Sequence, residues 1–171
     1  MAGLTKAFPD IPILSEENAA DLHRGWKEWE RFFLVDPLDG TKEFLKRNGE
    51  FTVNIALIDE GIPVAGVVHV PIGGTSYVAE RGRGAFRIAD GATTSLRVAE
   101  PEAQRLRVVG SRSHASPELD RFLQSLDYPE LISKGSSLKL CLIADGSADY
   151  YPRHGPTSWW DIAAGHCVIT E

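Results

Sequence analysis

The sequence predicts an α/β layered sandwich in one domain over residues 1–171. An antiparallel half spans about 11–100 and an α/β half about 105–171. Three observations lead there. Between residues 51 and 99, short β-branched runs recur between turn residues, as hairpin-joined strands do. After Pro101, strand-like runs alternate with capped helical patterns. A hydrophobic content of 43% against 25% charged residues is enough for an ordinary packed core.

Taken in order, Ile11-Pro12-Ile13-Leu14 reads as a short buried strand. Residues 18–29 are polar with two tryptophans, Trp26 and Trp29, and read as a surface excursion. Phe32 to Val35 is a buried strand ending in a turn at Asp36-Pro37-Leu38-Asp39-Gly40, and Lys42 to Lys46 is a helical turn. Phe51 to Ile58, the turn Asp59-Glu60-Gly61 and Ile62 to Val70 form a hairpin. Thr75–Ala79, Ala85–Ile88 and Ser95–Ala99 complete the antiparallel half. Leu106 to Gly110 is a strand, and Ser116-Pro117-Glu118 opens a helix to about Leu126, with serine at the cap and proline in the first turn. Leu131-Ile132 is a short strand. Ser136 begins a helix through Ala144 that Gly146 ends. Ala148 to Tyr151 is a strand, and Ser158 starts the last helix.

The net charge is −6 and no block of lysine and arginine forms a nucleic-acid footprint, so polymeric DNA or RNA is not an expected partner. The two cysteines, Cys141 and Cys167, lack Cys-x-x-Cys spacing and fit free thiols in a reducing cytoplasm. No signal-peptide core and no apolar run of membrane-spanning length is present. The expected setting is cytoplasmic, with peripheral inner-membrane association left open. An apolar strand near one end and an uncapped helix at the other suggest a piece of a larger domain.

The chemistry sits in acids that follow apolar runs: Glu16 and Glu17 after the first strand, Asp36 and Asp39 at the turn, and Asp161 at the last helix start. Asp36-Pro37 biases Asp36 toward an extended backbone, and Gly40 permits a conformation costly for other residues. Taken singly, these positions fit ordinary turns and helix caps. Placed together at sheet ends they form a convergent carboxylate cluster, which needs cations to be tolerated. Oxygen-only ligands suit Mg²⁺.

Three segments carry a family resemblance. Asp36-Pro37-Leu38-Asp39-Gly40-Thr41, Trp160-Asp161-Ile162-Ala163-Ala164-Gly165 and Leu14-Ser15-Glu16-Glu17 resemble the motifs of the lithium-sensitive, Mg²⁺-dependent inositol monophosphatase superfamily. A narrower set resembles its 3′(2′),5′-bisphosphate nucleotidase branch. It comprises Thr41-Lys42-Glu43-Phe44, Asn48 to Leu57, Ser111-Arg112-Ser113-His114, Gly135-Ser136-Ser137-Leu138-Lys139 and Tyr151-Pro152-Arg153.

The resemblance implies the family's αβαβα fold in incomplete form, without the helical pair and the final layers that relatives carry. It implies two or three Mg²⁺ held by Glu16, Asp36, the Leu38 carbonyl, Asp39 and Asp161, with Glu16, Asp36 and Thr41 in catalysis. Asp39, Gly40, Thr41 and Asp161 would face the scissile phosphate, and His114, Ser136, Lys139 and Arg153 would hold the nucleotide. The implied substrate is adenosine 3′,5′-bisphosphate, with 3′-phosphoadenylyl sulfate as a second and a homodimer as a possible assembly. The alternatives are an inositol monophosphatase or sugar bisphosphatase, a metal- or nucleotide-binding remnant without turnover, and a structural subunit. From the residues themselves, Ser136 fits a helix cap, Lys139 and Arg153 fit solvated charges, and His114 fits a cap or surface residue as well as a ligand.

Overall fold

The computed structural model describes residues 2–18, 25–100, 105–113 and 116–171. A short helix α1 (Ala2–Ala7) precedes β1 (Ile13–Ser15), which runs parallel to β2 (Arg31–Asp39) with Leu14 beside Leu34 and Ser15 beside Val35. Strands β3 (Thr52–Asp59), β4 (Ile62–Val70), β5 (Thr75–Glu80), β6 (Gly84–Ala89) and β7 (Ala92–Ser95) then add one after another, each antiparallel to the last. The result is a seven-stranded sheet in sequence order. A second sheet pairs β8 (Arg107–Ser111) in parallel with β9 (Glu130–Lys134), and α3 (Pro117–Gln124) makes the crossover. Between the sheets lie α4 (Leu138–Ala144) and α5 (Trp159–Thr170), with α5 across β3 and β4 and α4 against α5 and β8.

The core fills the space between the large sheet and these two helices. Phe32 and Leu34 of β2, Ala56 and Ile58 of β3 and Val68 of β4 meet Cys141 of α4 and Ala163, Ala164, Cys167 and Val168 of α5. Period-two alternation puts every second strand residue on this face. Phe33 points the other way, its ring 5.3 Å from that of Phe8. Helix α5 is apolar around its circumference because it is packed on two sides. Two glycines let it approach: a Cβ on Gly66 of β4 would lie 2.5 Å from the Ala164 carbonyl oxygen, and one on Gly165 would lie 2.5 Å from Leu140 Cδ1. Both cysteines are buried and unpaired, and burial pushes the Cys167 thiol up to about 11, so neither is a reactive thiolate.

Several expectations need correction. The strand expected over Ser95–Ala99 lies earlier, at Ala92–Ser95, where Asp90 and Gly91 both take a left-handed backbone and turn the chain back on β6. Ala148 to Tyr151 contributes one bridge, Val108 with Tyr150, rather than a strand. β2 does not stop at Val35 but runs through Asp39. α4 starts at Leu138 with Ser137 before it, because Ser136 has φ +47 and cannot belong to a right-handed helix. In the expected surface excursion, Trp26 and Trp29 pack their rings on Phe32 at 6.4 and 5.9 Å, and Trp26 meets Trp159 edge-on at 4.9 Å. α1 had no counterpart in the sequence reading.

Candidate metal and phosphate site

The carboxylate pair is built by a β-bulge. Asp36 pairs with Asn54 and Asp39 with Thr52, so β2 carries one residue more than β3 between these pairs. Pro37 sits in the gap and has no N–H to give the ladder, which is where strands tolerate proline. The consequence is geometric. Residues three apart on a regular strand face opposite sides, but the extra residue restores the side, so Asp36 and Asp39 lie opposite Asn54 and Thr52, which share one face. Asp36 is 1% exposed and Oδ1 accepts the Leu38 N–H at 2.9 Å. Gly40, at φ +91, then turns the chain into α2 (Thr41–Leu45).

β1 brings the third acid. Its parallel register sets Ser15 beside Val35, which places Glu16 next to Asp36, and the two carboxyl groups share a hydrogen bond. Asn18 fixes the turn after β1 by accepting the Ser15 N–H at 2.8 Å and donating to the Ile13 carbonyl at 3.3 Å. The fourth acid, Asp161, stands in the first turn of α5, where its Oδ2 accepts from the Ser158 N–H and the Thr157 hydroxyl, both at 2.9 Å. It closes a capping box with Ser158. The helix-cap reading of Asp161 is therefore correct as far as it goes. Its charge nonetheless reaches Glu16, Asp36 and Asp39.

The electrostatics report the crowding. Burial, then the charges of Asp39, Glu16 and Asp161, push Asp36 up to about 7 against the opposing Leu38 N–H. Burial also raises Asp39, despite hydrogen bonds from Asn54 and Ser137 and the nearby charge of Lys139. Glu16 is raised by burial and by Asp161, Glu17 and Asp39, with the hydrogen bond to Asp36 opposing. Among the described residues no three acidic, histidine or cysteine side chains stand as a closed cage. Asp161 caps its own helix, and Asp39 Oδ2 accepts the Ser137 N–H at 2.6 Å. The donor set still fits a hard divalent cation: four carboxylates, three of them raised by burial first and by neighbouring acids second, are relieved by positive charge and offer only oxygen.

A cleft of about 260 Å³ opens beside this cluster, lined by Asp39, Thr41 and Asp161 and by Ser136, Lys139 and Arg153. A larger cavity of about 630 Å³ between Trp26, Trp29, Trp159 and Pro63 holds none of these residues, so the smaller cleft is the chemically equipped one. Lys139 is not a solvated charge. It is 6% exposed, donates to the Ser136 carbonyl and lies 5.4 Å from the Tyr151 ring centroid. Burial lowers its pKa, and Arg153 adds to the lowering while Asp39 opposes it. Arg153 is exposed, and its Nη2 donates to the Pro156 carbonyl at 2.6 Å. Ser136 lies outside α4, yet its Oγ accepts the Leu138 N–H at 3.5 Å, and the neighbouring Ser137 N–H is taken by Asp39. His114 lies outside the described residues.

Sequence reasoning missed a buried polar network behind Asp39. Ser137 Oγ lies 2.8 Å from Thr52 Oγ1 and donates to Asn54 Oδ1 at 2.7 Å, and Asn54 Nδ2 donates to Asp39 Oδ2 at 3.2 Å. The available signal was two polar residues, Thr52 and Asn54, on what proves to be the buried face of an otherwise apolar strand.

Two carboxylates aligned by a bulge, a third from a parallel strand and a fourth from a helix start, between a large, mostly antiparallel sheet and a small parallel one, define a phosphatase-type layered fold. The chain belongs to the inositol monophosphatase family, which it matches over residues 1–171. Within that family it is 52% identical over 171 residues to the 3′(2′),5′-bisphosphate nucleotidase CysQ of Escherichia coli strain K12, across 98% of this chain and 67% of that protein. It is 44% identical to the protein of the same name from Buchnera aphidicola, across 98% of this chain and 62% of that one. The crystal structure of CysQ from Bacteroides thetaiotaomicron superposes with a TM-score of 0.82 at 40% identity, over 95% of this chain and 66% of that one. Mycobacterium tuberculosis SuhB gives 0.79 at 27% identity, over 98% and 66%. The chain spans about two thirds of the length of these relatives.

Proposed function

We propose that the chain removes the 3′-phosphate of adenosine 3′,5′-bisphosphate, giving AMP and phosphate, and that it also accepts 3′-phosphoadenylyl sulfate. The observation that carries this reading is the mixed charge of the cleft, which is lined by the acids Asp39 and Asp161 together with the cations Lys139 and Arg153. A substrate with two phosphates, one to be cleaved beside the carboxylates and one to be held by the cations, matches that lining. Similarity to bisphosphate nucleotidases supports it over an inositol phosphate or a sugar bisphosphate.

Glu16, Asp36, the Leu38 carbonyl, Asp39 and Asp161 would hold two or three Mg²⁺, which when bound supply Lewis acidity and a water of lowered pKa. Thr41, the first residue of α2, together with Glu16 orients the attacking water. Attack on phosphorus is in line, the bond to the ribose 3′ oxygen breaks, and no covalent enzyme intermediate forms. Lys139 and Arg153 neutralise the phosphate that stays, the arginine with its planar donor fork. The reading includes a cytoplasmic setting, consistent with two buried free thiols, and a homodimer. No helix among the described residues is long and apolar enough to cross a membrane.

Phosphate release from the purified chain with Mg²⁺ tests this on adenosine 3′,5′-bisphosphate, inositol 1-phosphate and fructose 1,6-bisphosphate. The nucleotide is expected to lead in kcat/KM by about tenfold or more, and faster inositol phosphate turnover would overturn the assignment. Lys139→Met is expected to raise the KM for the nucleotide about tenfold or more, through loss of a charged partner, with a smaller change in kcat. An unchanged KM would remove Lys139 from the binding set.

A further inference from the structure

Three segments distant in sequence, Asn48 to Leu57, Ser111 to Ser113 and Gly135 to Lys139, meet at one side chain. Glu50 Oε2 accepts from Arg112 Nε at 2.8 Å and from the Gly135 N–H at 2.9 Å. Its Oε1 accepts from Arg112 Nη2 at 2.9 Å and Lys134 Nζ at 3.3 Å. Arg112 is itself fixed, with Nη2 donating to the Ser133 carbonyl at 2.7 Å and its backbone N–H to the Lys134 carbonyl at 3.1 Å. The Glu50 side chain is 13% exposed. One carboxylate from the loop before β3 thus ties together the ends of β8 and β9, residues 62 and 85 positions further along the chain.

The Glu50 backbone is equally constrained. Its carbonyl oxygen would lie 3.2 Å from a Cβ on Gly40 and 2.8 Å from one on Gly135. It is wedged between the turn that follows Asp39 and the turn that carries Ser136. Ser136 holds a left-handed backbone, φ +47, that costs a residue with a side chain about 1 kcal/mol or more. The amides on either side of it are each bound by a carboxylate from the large-sheet half: Gly135 N–H by Glu50, and Ser137 N–H by Asp39 at 2.6 Å. Glu43 of α2 adds a third tie by accepting the Ser113 hydroxyl, and its Cγ lies where a Gly135 Cβ would be. A strained residue persists where its surroundings over-determine it.

We propose that Glu50 is a positioning residue for nucleotide recognition: by anchoring Gly135 and Arg112 it sets the Ser136 turn, and with it Lys139, against the phosphate end at Gly40 and Thr41. It touches no substrate and acts through the turn. The inference rests on the nucleotidase reading for its substrate but not for its geometry. A phosphomonoester without a nucleoside needs only the phosphate end, so Glu50 governs preference rather than chemistry.

The test compares Glu50→Ala and Glu50→Gln with the parent chain on adenosine 3′,5′-bisphosphate and p-nitrophenyl phosphate, alongside amide hydrogen exchange. In Glu50→Ala the KM for the nucleotide is expected to rise about tenfold, as for loss of charge-assisted hydrogen bonds, with kcat within about threefold. The kcat/KM for p-nitrophenyl phosphate stays within about twofold. Exchange at Gly135 and Ser137 accelerates. Glu50→Gln, which keeps an acceptor for the Gly135 N–H, recovers most of the KM and the protection. Equal losses on both substrates, or unchanged exchange at Gly135, would overturn the proposal. Failure of the parent chain to hydrolyse the nucleotide strikes the nucleotidase reading instead, and the exchange measurement still decides whether Glu50 fixes the turn.

Discussion

Asp36→Asn is expected to cut Mg²⁺-dependent phosphate release about a thousandfold or more, since several kcal/mol of charge stabilisation leave with the cation, and at the same time to stabilise the metal-free protein above neutral pH. The second effect follows from Asp36 lying 1% exposed among Glu16, Asp39 and Asp161, with its pKa pushed from 3.8 up to about 7. A carboxyl raised on folding binds more protons in the native state than in the unfolded chain between these values. Its contribution is therefore fully present below about pH 4 and is lost as pH rises through about 7. The loss is on the order of 2–4 kcal/mol, or roughly 5–15 °C in Tm for a chain of this size. Asparagine keeps an oxygen for the Leu38 N–H and carries no charge. In chelator at pH 8 the variant should melt higher than the parent, and at pH 4 the two should converge. A variant that melts lower at pH 8, or that retains Mg²⁺-dependent turnover, would show that Asp36 is not a crowded metal carboxylate.

Glu16, Asp36 and Asp39 could be singled out in the sequence because each follows an apolar run that enters the sheet, whereas Asp161 stands in the first turn of α5. The bulge that makes two of them useful was not. Asp36-Pro37 and Asp39-Gly40 read as turns, since proline and glycine signal turns by local conformation. Only the pairing of Asp36 with Asn54 and Asp39 with Thr52 reveals an extra residue inside a strand. The start of α4 failed for a related reason. Gly135-Ser136 carries a good local cap signal, but the left-handed Ser136 is imposed by Glu50 and Asp39 through the amides on either side. Tertiary bonds of that span override local propensity. Thr52 and Asn54 were seen as strand residues, yet their partner Ser137 lies 85 and 83 positions away and only the packed helix layer brings it to them. The narrower family motifs did not disclose that three of their segments meet at one side chain. That side chain is Glu50, which binds Arg112, Lys134 and the Gly135 N–H.

The sharpest packing test concerns how α5 delivers Asp161. Gly66→Ala puts a methyl group 2.5 Å from the Ala164 carbonyl oxygen and 2.9 Å from Cys167 Cβ, both belonging to α5. Backbone on both sides cannot step aside as a rotamer can, so the helix must lift from β4. Overpacking of this kind costs about 3 kcal/mol, a Tm loss of roughly 6–12 °C. Gly165→Ala meets only Leu140, with Cδ1 at 2.5 Å and Cβ at 2.8 Å; a rotamer change moves Cδ1 but not Cβ, so α4 must shift slightly as well. Alanine in the interior of α5 recovers about 1 kcal/mol of helix propensity, which offsets part of that cost, so the loss should be smaller than in Gly66→Ala. The difference reaches function because lifting α5 off β4 draws Asp161 away from Asp36 and Asp39 on β2. Gly66→Ala should therefore raise the Mg²⁺ concentration needed for half-maximal activity, and Gly165→Ala should leave it near the parent value. Urea unfolding of both variants, with Mg²⁺ titration of activity, decides the point: equal stability loss in the two, or an unchanged Mg²⁺ requirement in Gly66→Ala, would mean that the Gly66 contact does not set the position of the fourth acid.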